Sequence, residues 1–141
     1  NPYGDPYDVK TVEQFVDILV TLGIRIISLA DTIGVSNPEN ITFLFTSIIK
    51  KFPEIELGAH LHSNPTSTFE KVEAAFKAGC KRFDGAIKGF GGCPMAKDEL
   101  VGNLATETIV ECLARYGAAP VINQQAFQKS LLMAHEIFPK H

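Results

Sequence analysis

The sequence predicts an α/β protein built on a parallel sheet. Short apolar runs typical of strands alternate with segments whose apolar residues recur at helical spacing. The alternation repeats about every thirty residues, as expected for right-handed βαβ units that close into a barrel or form an open doubly wound sheet. With 141 residues, 45% of them hydrophobic, residues 1–141 are expected to form one domain around one core.

The first helix is predicted at Val9–Leu22, where apolar residues recur three and four positions apart. Asp8 is placed to cap its start and Gly23 to end it. The β-branched run Ile24–Ala30 then predicts a strand that is buried on both faces.

The next unit follows the same order of strand and helix. Asn37 followed by Pro38 is typical of a helix start, and an apolar face continues from there to Pro53. The run Ile55–His62 predicts the second strand.

The remaining elements continue the alternation. A turn at Pro65 leads into a helix that Gly79 closes, and Arg82–Gly89 predicts a third, weaker strand. Helices are then predicted at about Thr106–Tyr116 and, with Asn123 as the cap, at 123–138.

Charge and cysteine content exclude several classes of function. Thirteen Lys and Arg against sixteen Asp and Glu give a net charge of −3, which argues against a nucleic-acid partner. Neither a membrane-length apolar stretch nor a signal segment is found, so we expect no membrane partner and a cytoplasmic location. Three cysteines at irregular spacing suggest reduced thiols, and we expect Cys80 and Cys112 to be buried apolar residues.

Polar side chains that can bind metal or react end all three predicted strands. Asp31 follows the first strand, His60 and His62 end the second, and Cys93 and Asn103 follow the third. Parallel sheets place their chemistry at this edge. Two histidines two apart on a strand share a face and can bind one ion. With the Asn103 amide oxygen and a carboxylate, the set favours Mg²⁺ or Mn²⁺.

Each of these residues also has a purely structural interpretation. The histidine pair can be incidental, and Asp31 can instead bond the backbone amides of the loop that follows it. Cys93 is either a small buried apolar residue or an acid or nucleophile on a loop that closes over a ligand. The glycines of that flexible loop are Gly89, Gly91 and Gly92. His135 and His141 are expected at the surface.

Five segments match one known family in order and nearly in spacing. NPYGDPY, SLADTIGV, HLH, GFGGCPMA and GNLATE span residues 1–107, and on them the chain resembles the C-terminal half of the hydroxymethylglutaryl-CoA lyases. The resemblance implies the C-terminal part of a (β/α)8 TIM barrel, with three to four βα units. It makes His60, His62 and Asn103 the metal ligands, Asp31 a catalytic polar residue and Cys93 the acid or base of the loop.

The resemblance also implies a reaction. An acyl-CoA thioester, 3-hydroxy-3-methylglutaryl-CoA, would be cleaved by retro-Claisen chemistry to acetyl-CoA and acetoacetate, a step of leucine degradation and ketone body metabolism. His60 or Asp31 would take the hydroxyl proton, and Cys93 would protonate the enolate. The chain departs from the family pattern at residues 63–65, Ser-Asn-Pro, and in a loop before Asn103 that is one residue longer.

The alternatives are a Claisen-condensing synthase of the same superfamily, of the isopropylmalate, homocitrate or citramalate type, and a non-catalytic βα assembly module. A full barrel needs about 250 residues, and the chain opens on Asn1 in a turn-rich segment. We therefore expect a fragment that is inactive alone and that pairs with a second copy or with the missing N-terminal half.

Overall fold

A computed structural model of the chain describes Gly4 and residues 8–92 and 101–138. The helices are α1 Val9–Thr21, α2 Pro38–Lys51, α3 Thr68–Lys77, α4 Thr106–Arg115 and α5 Gln124–Ile137. The strands are β1 Ile26–Asp31, β2 Glu56–Ser63, β3 Arg82–Phe83 and β4 Gly102–Asn103. The predicted alternation of strand and helix is confirmed, with bounds shifted by a few residues at most outside the third strand.

The first three strands form a parallel sheet in the order β1-β2-β3. The pairing of β1 with β2 runs from Ile26 opposite Glu56 to Asp31 opposite Leu61. The short strand β4 pairs with β2 in the antiparallel direction and places Asn103 opposite His62. This antiparallel pair adds a short, reversed strand to the predicted parallel sheet.

The predicted third strand, Arg82–Gly89, is wrong beyond Phe83. Only Arg82 and Phe83 pair with β2, and the chain then makes a bridge between Ala86 and Ala105 and a 3₁₀ turn at Ile87–Gly89. A Cβ on Gly85 would lie 2.7 Å from the Leu104 carbonyl oxygen. The backbone therefore leaves β2 because it packs directly against the segment that leads into α4.

The prediction that the first strand is buried on both faces is also wrong. Ile27 is 8% exposed, whereas its neighbour Ile26 is 55% exposed. Successive residues of a strand face opposite sides of the sheet. The helices bury the side that carries Ile27, and within the described ranges the other side of β1 is open.

One hydrophobic core lies between the helices and one face of the sheet. Asp8 caps α1, and Asn37 and Asn40 form a capping box at the start of α2. Cys80 and Cys112 are fully buried, as predicted, and His135 is exposed. The core residues of the helices and strands include Val16, Ile41, Phe45, Ile48, Leu57, Ala59, Val72, Leu104 and Ile109.

Across the described residues, each helix is too short or too polar to cross a lipid bilayer.

Candidate functional site

The histidine pair lies on one face of β2. The ring centroids of His60 and His62 are 5.7 Å apart, with the rings at 65° to each other. The His60 side chain is 45% exposed on the open side of the sheet, whereas the residue His62 is 8% exposed. The two-residue spacing thus brings the imidazoles together, as the sequence predicts.

Asn103 joins the histidines through the antiparallel pairing of β4 with β2. Its amide nitrogen donates to the carbonyl oxygens of Phe90 and Gly91, each at 2.8 Å. A carboxamide has one nitrogen and one oxygen, so this orientation makes the oxygen the atom that can accept a hydrogen bond or bind a metal ion.

The glycines of the predicted flexible loop lie directly against Asn103. A Cβ on Gly91 would come within 2.9 Å of the Asn103 side-chain nitrogen, and one on Gly89 within 2.8 Å of the Asn103 carbonyl oxygen. Both glycines also have positive φ, 69° at Gly89 and 88° at Gly91. Side chains are excluded here on two grounds, space and backbone conformation, and the loop can therefore approach Asn103 closely.

One nitrogen of His62 is suited to bind a ligand. Its Nδ1 is buried and has no hydrogen-bond partner within the described residues. Buried polar atoms are normally paired. Burial, reinforced by the proximity of His60, lowers the pKa of His62 below its ordinary value. A neutral imidazole with an unused nitrogen is the form that binds a metal ion.

Asp31 has a different environment. It lies opposite Leu61 in the sheet, one residue out of step with each histidine, and the alternation of strand residues therefore directs it to the other face. Its carboxylate accepts hydrogen bonds from Val35 N at 3.1 Å and Ser36 N at 2.8 Å and from the Ser36 hydroxyl. These are the loop contacts of the structural interpretation.

The charge of Asp31 is stabilised where it lies. Burial alone would raise its pKa, but the hydrogen bonds from Ser36 and the nearby Lys71 ammonium outweigh that effect and lower it. Its catalytic role stays a prediction, since none of these contacts joins its carboxylate to an imidazole ring.

Asp84 is a candidate site residue that the sequence reasoning missed. It accepts a hydrogen bond from the Ser28 hydroxyl at 3.0 Å, and its Oδ2 lies 3.7 Å from His60 Nδ1. The available signal was its position directly after β3, equivalent to that of the polar residues that end β1 and β2. A carboxylate beside a ligating histidine commonly fixes the ring orientation and tautomer.

A pocket of about 360 Å³ adjoins Asn103, a volume within the range of small-molecule sites. Its lining includes Ser63, Thr68, Lys88 and Glu107. The Glu107 carboxylate accepts a hydrogen bond from the Lys88 backbone N–H at 3.0 Å. The pocket therefore offers hydroxyls and a cation next to the predicted metal ligands.

Cys93 lies outside the described residues, whereas Gly92, the last glycine of the predicted loop, lies within them. Among residues 8–92 and 101–138, three or more His, Cys, Asp or Glu side chains do not gather closely enough to hold an ion. The described donors are two imidazoles and one amide oxygen. They fit part of a coordination shell that needs further oxygen ligands.

Sequence comparison gives the same family as the motifs. The profile of the HMGL-like family matches residues 4–133. The chain is 33% identical over 112 residues to the hydroxymethylglutaryl-CoA lyase of Bacillus subtilis, covering 79% of this chain and 37% of that one. It is 31% identical over 128 residues to the (R)-citramalyl-CoA lyase of Chloroflexus aurantiacus, covering 88% of this chain and 40% of that one.

Solved structures agree with this result. The HMG-CoA lyase of Brucella melitensis superposes with a TM-score of 0.85 at 26% identity, over 97% of this chain and 48% of that one. The HMG-CoA lyase of Acinetobacter baumannii, in complex with coenzyme A and 3-methylmalate, superposes with a TM-score of 0.77 at 30% identity. The match covers 91% of this chain and 42% of that one.

These matches confirm the predicted fold, part of a TIM barrel, and the chain spans less than half the length of the relatives. The named relatives are lyases of CoA thioesters, which supports a carbon–carbon lyase. From the motifs, the site geometry and these matches together, we conclude that the chain belongs to the HMGL-like family.

Proposed function

We propose that this chain is the C-terminal part of a metal-dependent lyase that cleaves 3-hydroxy-3-methylglutaryl-CoA to acetyl-CoA and acetoacetate. The observation that carries the proposal is the buried Nδ1 of His62, which has no hydrogen-bond partner among residues 8–92 and 101–138 and lies in a strand paired directly with Asn103. The similarity to lyases of CoA thioesters supports the substrate class.

His60, His62 and Asn103 would hold the divalent ion, Mg²⁺ or Mn²⁺, with further oxygen ligands from the rest of the barrel. When bound, such an ion supplies a Lewis acid that lowers the pKa of a substrate hydroxyl. The lowered pKa of His62 favours its neutral form, and the Asn103 amide nitrogen is turned to the Phe90 carbonyl oxygen, which leaves the amide oxygen as the ligating atom.

The reaction requires one proton to leave and one to arrive. Loss of the hydroxyl proton lets the carbon–carbon bond break, and its electron pair forms the enolate of acetyl-CoA, which is then protonated. Cys93 is the proposed acid for the second transfer. Candidates for the first are His60, on the open side of the sheet, and Asp31, whose carboxylate is bonded to the Ser36 loop.

Two roles are thus proposed for His60, and one nitrogen cannot serve both at once. A ligand role predicts that His60→Ala loses the ion, whereas a purely basic role predicts that the ion is retained and turnover is lost. We expect the ion to be lost because the ring of His60 lies beside that of His62.

A Mn²⁺ titration of the chain, combined with a separately expressed N-terminal half that supplies the further oxygen ligands, tests the proposed site. His60→Ala, His62→Ala and Asn103→Ala should each weaken binding at least about tenfold. His135→Ala, which removes an exposed histidine on α5, is the matched control and should leave binding unchanged. Equal binding by all four variants would overturn the proposal and favour a non-catalytic βα module.

Activity is expected only when the barrel is complete. The chain covers 37% of the Bacillus subtilis relative, so we propose that it acts with the preceding half of a barrel or with a second copy. The isolated chain should release no acetoacetate, and addition of a separately expressed N-terminal half should restore release. Turnover by the isolated chain would contradict this.

A second candidate substrate is (R)-citramalyl-CoA, because the chain is also similar to a lyase of that thioester, over 88% of its length. Parallel assays of the completed barrel with 3-hydroxy-3-methylglutaryl-CoA and with (R)-citramalyl-CoA distinguish the two. A condensing synthase would instead consume acetyl-CoA together with a 2-oxo acid.

A further inference from the structure

Lys71 is a fully buried lysine behind the candidate site. It lies on α3, between the helix layer and the sheet, and is 2% exposed. A buried ammonium group is costly unless its charge is paired and its hydrogen bonds are satisfied. Such a residue is therefore expected to have a specific set of partners.

All three donors of the ammonium group find oxygen atoms. Lys71 Nζ lies 2.8 Å from the His62 carbonyl oxygen, 3.0 Å from the Gly34 carbonyl oxygen and 3.4 Å from Asp31 Oδ2. An ammonium group has three N–H donors and accepts none. Its partners thus satisfy it completely, and they come from two separate segments of the chain.

These two segments meet at His62. The pairing of β1 with β2 ends at Asp31 and Leu61, so the His62 carbonyl lies beyond the last pair of that ladder. Gly34, in the loop after β1, has a φ of 71°, and a Cβ there would lie 3.4 Å from the His62 carbonyl oxygen. The loop therefore packs directly on the His62 peptide, and Lys71 bonds to both.

We propose that Lys71 is a positioning residue for the metal site, which clamps the His62 peptide to the Asp31 loop and so fixes the direction of the His62 imidazole. The inference rests on the proposed function, in which His62 is a ligand. Lys71 reaches His62 through the backbone carbonyl of that residue and not through the imidazole.

The first test compares Lys71→Met with Val72→Ala in a Mn²⁺ titration of the chain combined with the N-terminal half. Methionine keeps most of the buried volume and removes the charge and its donors. Val72 is fully buried on the same helix, so the control loses core packing without removing the clamp. We expect Lys71→Met to weaken Mn²⁺ binding about tenfold, as loss of groups behind a ligand does, and Val72→Ala to change it less than twofold.

A second readout needs no metal. The side-chain ¹⁵N signals of His62 and the amide signals of the Gly34 loop should shift in Lys71→Met and stay in place in Val72→Ala. Should Lys71→Met leave Asp31 unpaired and unfold the chain, Asp31→Asn combined with Lys71→Met removes both charges. This double variant should fold and still show the weaker binding, because the His62 carbonyl has lost its donor.

The outcomes separate the two proposals. Unchanged Mn²⁺ binding in Lys71→Met, or an equal loss in Val72→Ala, overturns the positioning role and leaves the metal site standing. Absence of Mn²⁺ binding in the unsubstituted chain combined with the N-terminal half overturns the proposed metal site. In that case the NMR comparison still tests whether Lys71 fixes the His62 imidazole. Unshifted His62 side-chain signals in Lys71→Met would refute it.

Discussion

The imidazole of His62 is kept neutral by its surroundings. Burial, followed by the proximity of His60, holds the pKa of His62 below the ordinary value of 6.5. At neutral pH the ring therefore need not lose a proton before it binds an ion, which removes one competitor for the nitrogen. Burial on β2 thus contributes to the chemistry of the site as well as to packing.

The carboxylate of Asp31 should stabilise the fold in a pH-dependent way. Its folded-state pKa lies below the ordinary value of 3.8, so its contribution is present above that value and is lost as the pH falls through the folded pKa. Asp31→Asn should cost about 3 kcal/mol at pH 7, because it leaves the Lys71 ammonium without its partner.

Urea unfolding of the parent chain and of Asp31→Asn from pH 7 to pH 3 measures this contribution to the free energy of unfolding. The difference in the free energy of unfolding between the parent chain and Asp31→Asn should become smaller as the pH falls below about 4. A gap that stays constant over this range would show that the charge of Asp31 contributes no stability.

Asp84 should tune the metal site through His60. Its carboxylate lies 3.7 Å from His60 Nδ1 and is held by Ser28. Asp84→Asn should weaken Mn²⁺ binding about tenfold, because the partner that orients the ring is weakened. Asp17→Asn, which removes one exposed carboxylate from α1, is the control and should bind as the parent does. Equal affinities in the two variants would assign Asp84 a role unrelated to the ion.

At the scale of single elements, the start of α2 offers a clear test of local encoding. The Asn37 side chain accepts from Asn40 N at 2.9 Å, and the Asn40 side chain accepts from Asn37 N at 3.0 Å. Asn37→Ala should lower the free energy of unfolding by about 1 kcal/mol, the usual value of an N-cap.

The N-terminus of α3 supplies the control for this substitution. The Ser67 hydroxyl bonds to the Asn64 carbonyl at 3.4 Å and not to a helix N–H. Ser67→Ala should therefore change the free energy of unfolding by less than half as much in the same urea titration. A larger loss in Ser67→Ala than in Asn37→Ala would refute the assignment of the capping box.

At the scale of the whole molecule, the open side of the sheet should drive association. Ile24 and Ile26 are 40% and 55% exposed at the β1 edge, where the described residues supply no further strand. Exposed strand edges and apolar patches favour pairing with another chain.

Sedimentation velocity should therefore show self-association at micromolar concentration. Ile26→Lys should shift the distribution toward monomer because it places a charge on the open face. Val35→Lys carries the same change at a residue that is 64% exposed in a loop, and it should behave as the parent does. A monomeric parent chain would contradict the expected association.

The chain spans less than half the length of its relatives, which accounts for the error in the first strand. The sequence run Ile24–Ala30 is apolar throughout, as in strands covered on both faces. The described residues cover only one of them, and the relatives are more than twice as long as the matched segment. The strand thus has a composition suited to a complete barrel.

The helices and the direction of the histidine pair could be read from the sequence alone. The spacing of apolar residues, the caps at Asp8 and Asn37, and the two-residue period of β2 are all encoded within a few neighbouring positions. Local steric and hydrogen-bonding rules act over the same short distances, and such features can therefore be predicted without coordinates.

Only the tertiary structure decided which distant residues meet. One such contact is the antiparallel pairing of Asn103 with His62. Another is the contact of Lys71 with Asp31 and with the His62 backbone, which joins segments up to about forty residues apart. The placement of Asp31 on the face opposite the histidines is a third feature of the packed sheet. These contacts depend on how helices and strands pack and on where the chain leaves the sheet at Gly85. Contacts between distant residues form only when the helices pack on the sheet, so the spacing of residue types along the sequence does not specify them.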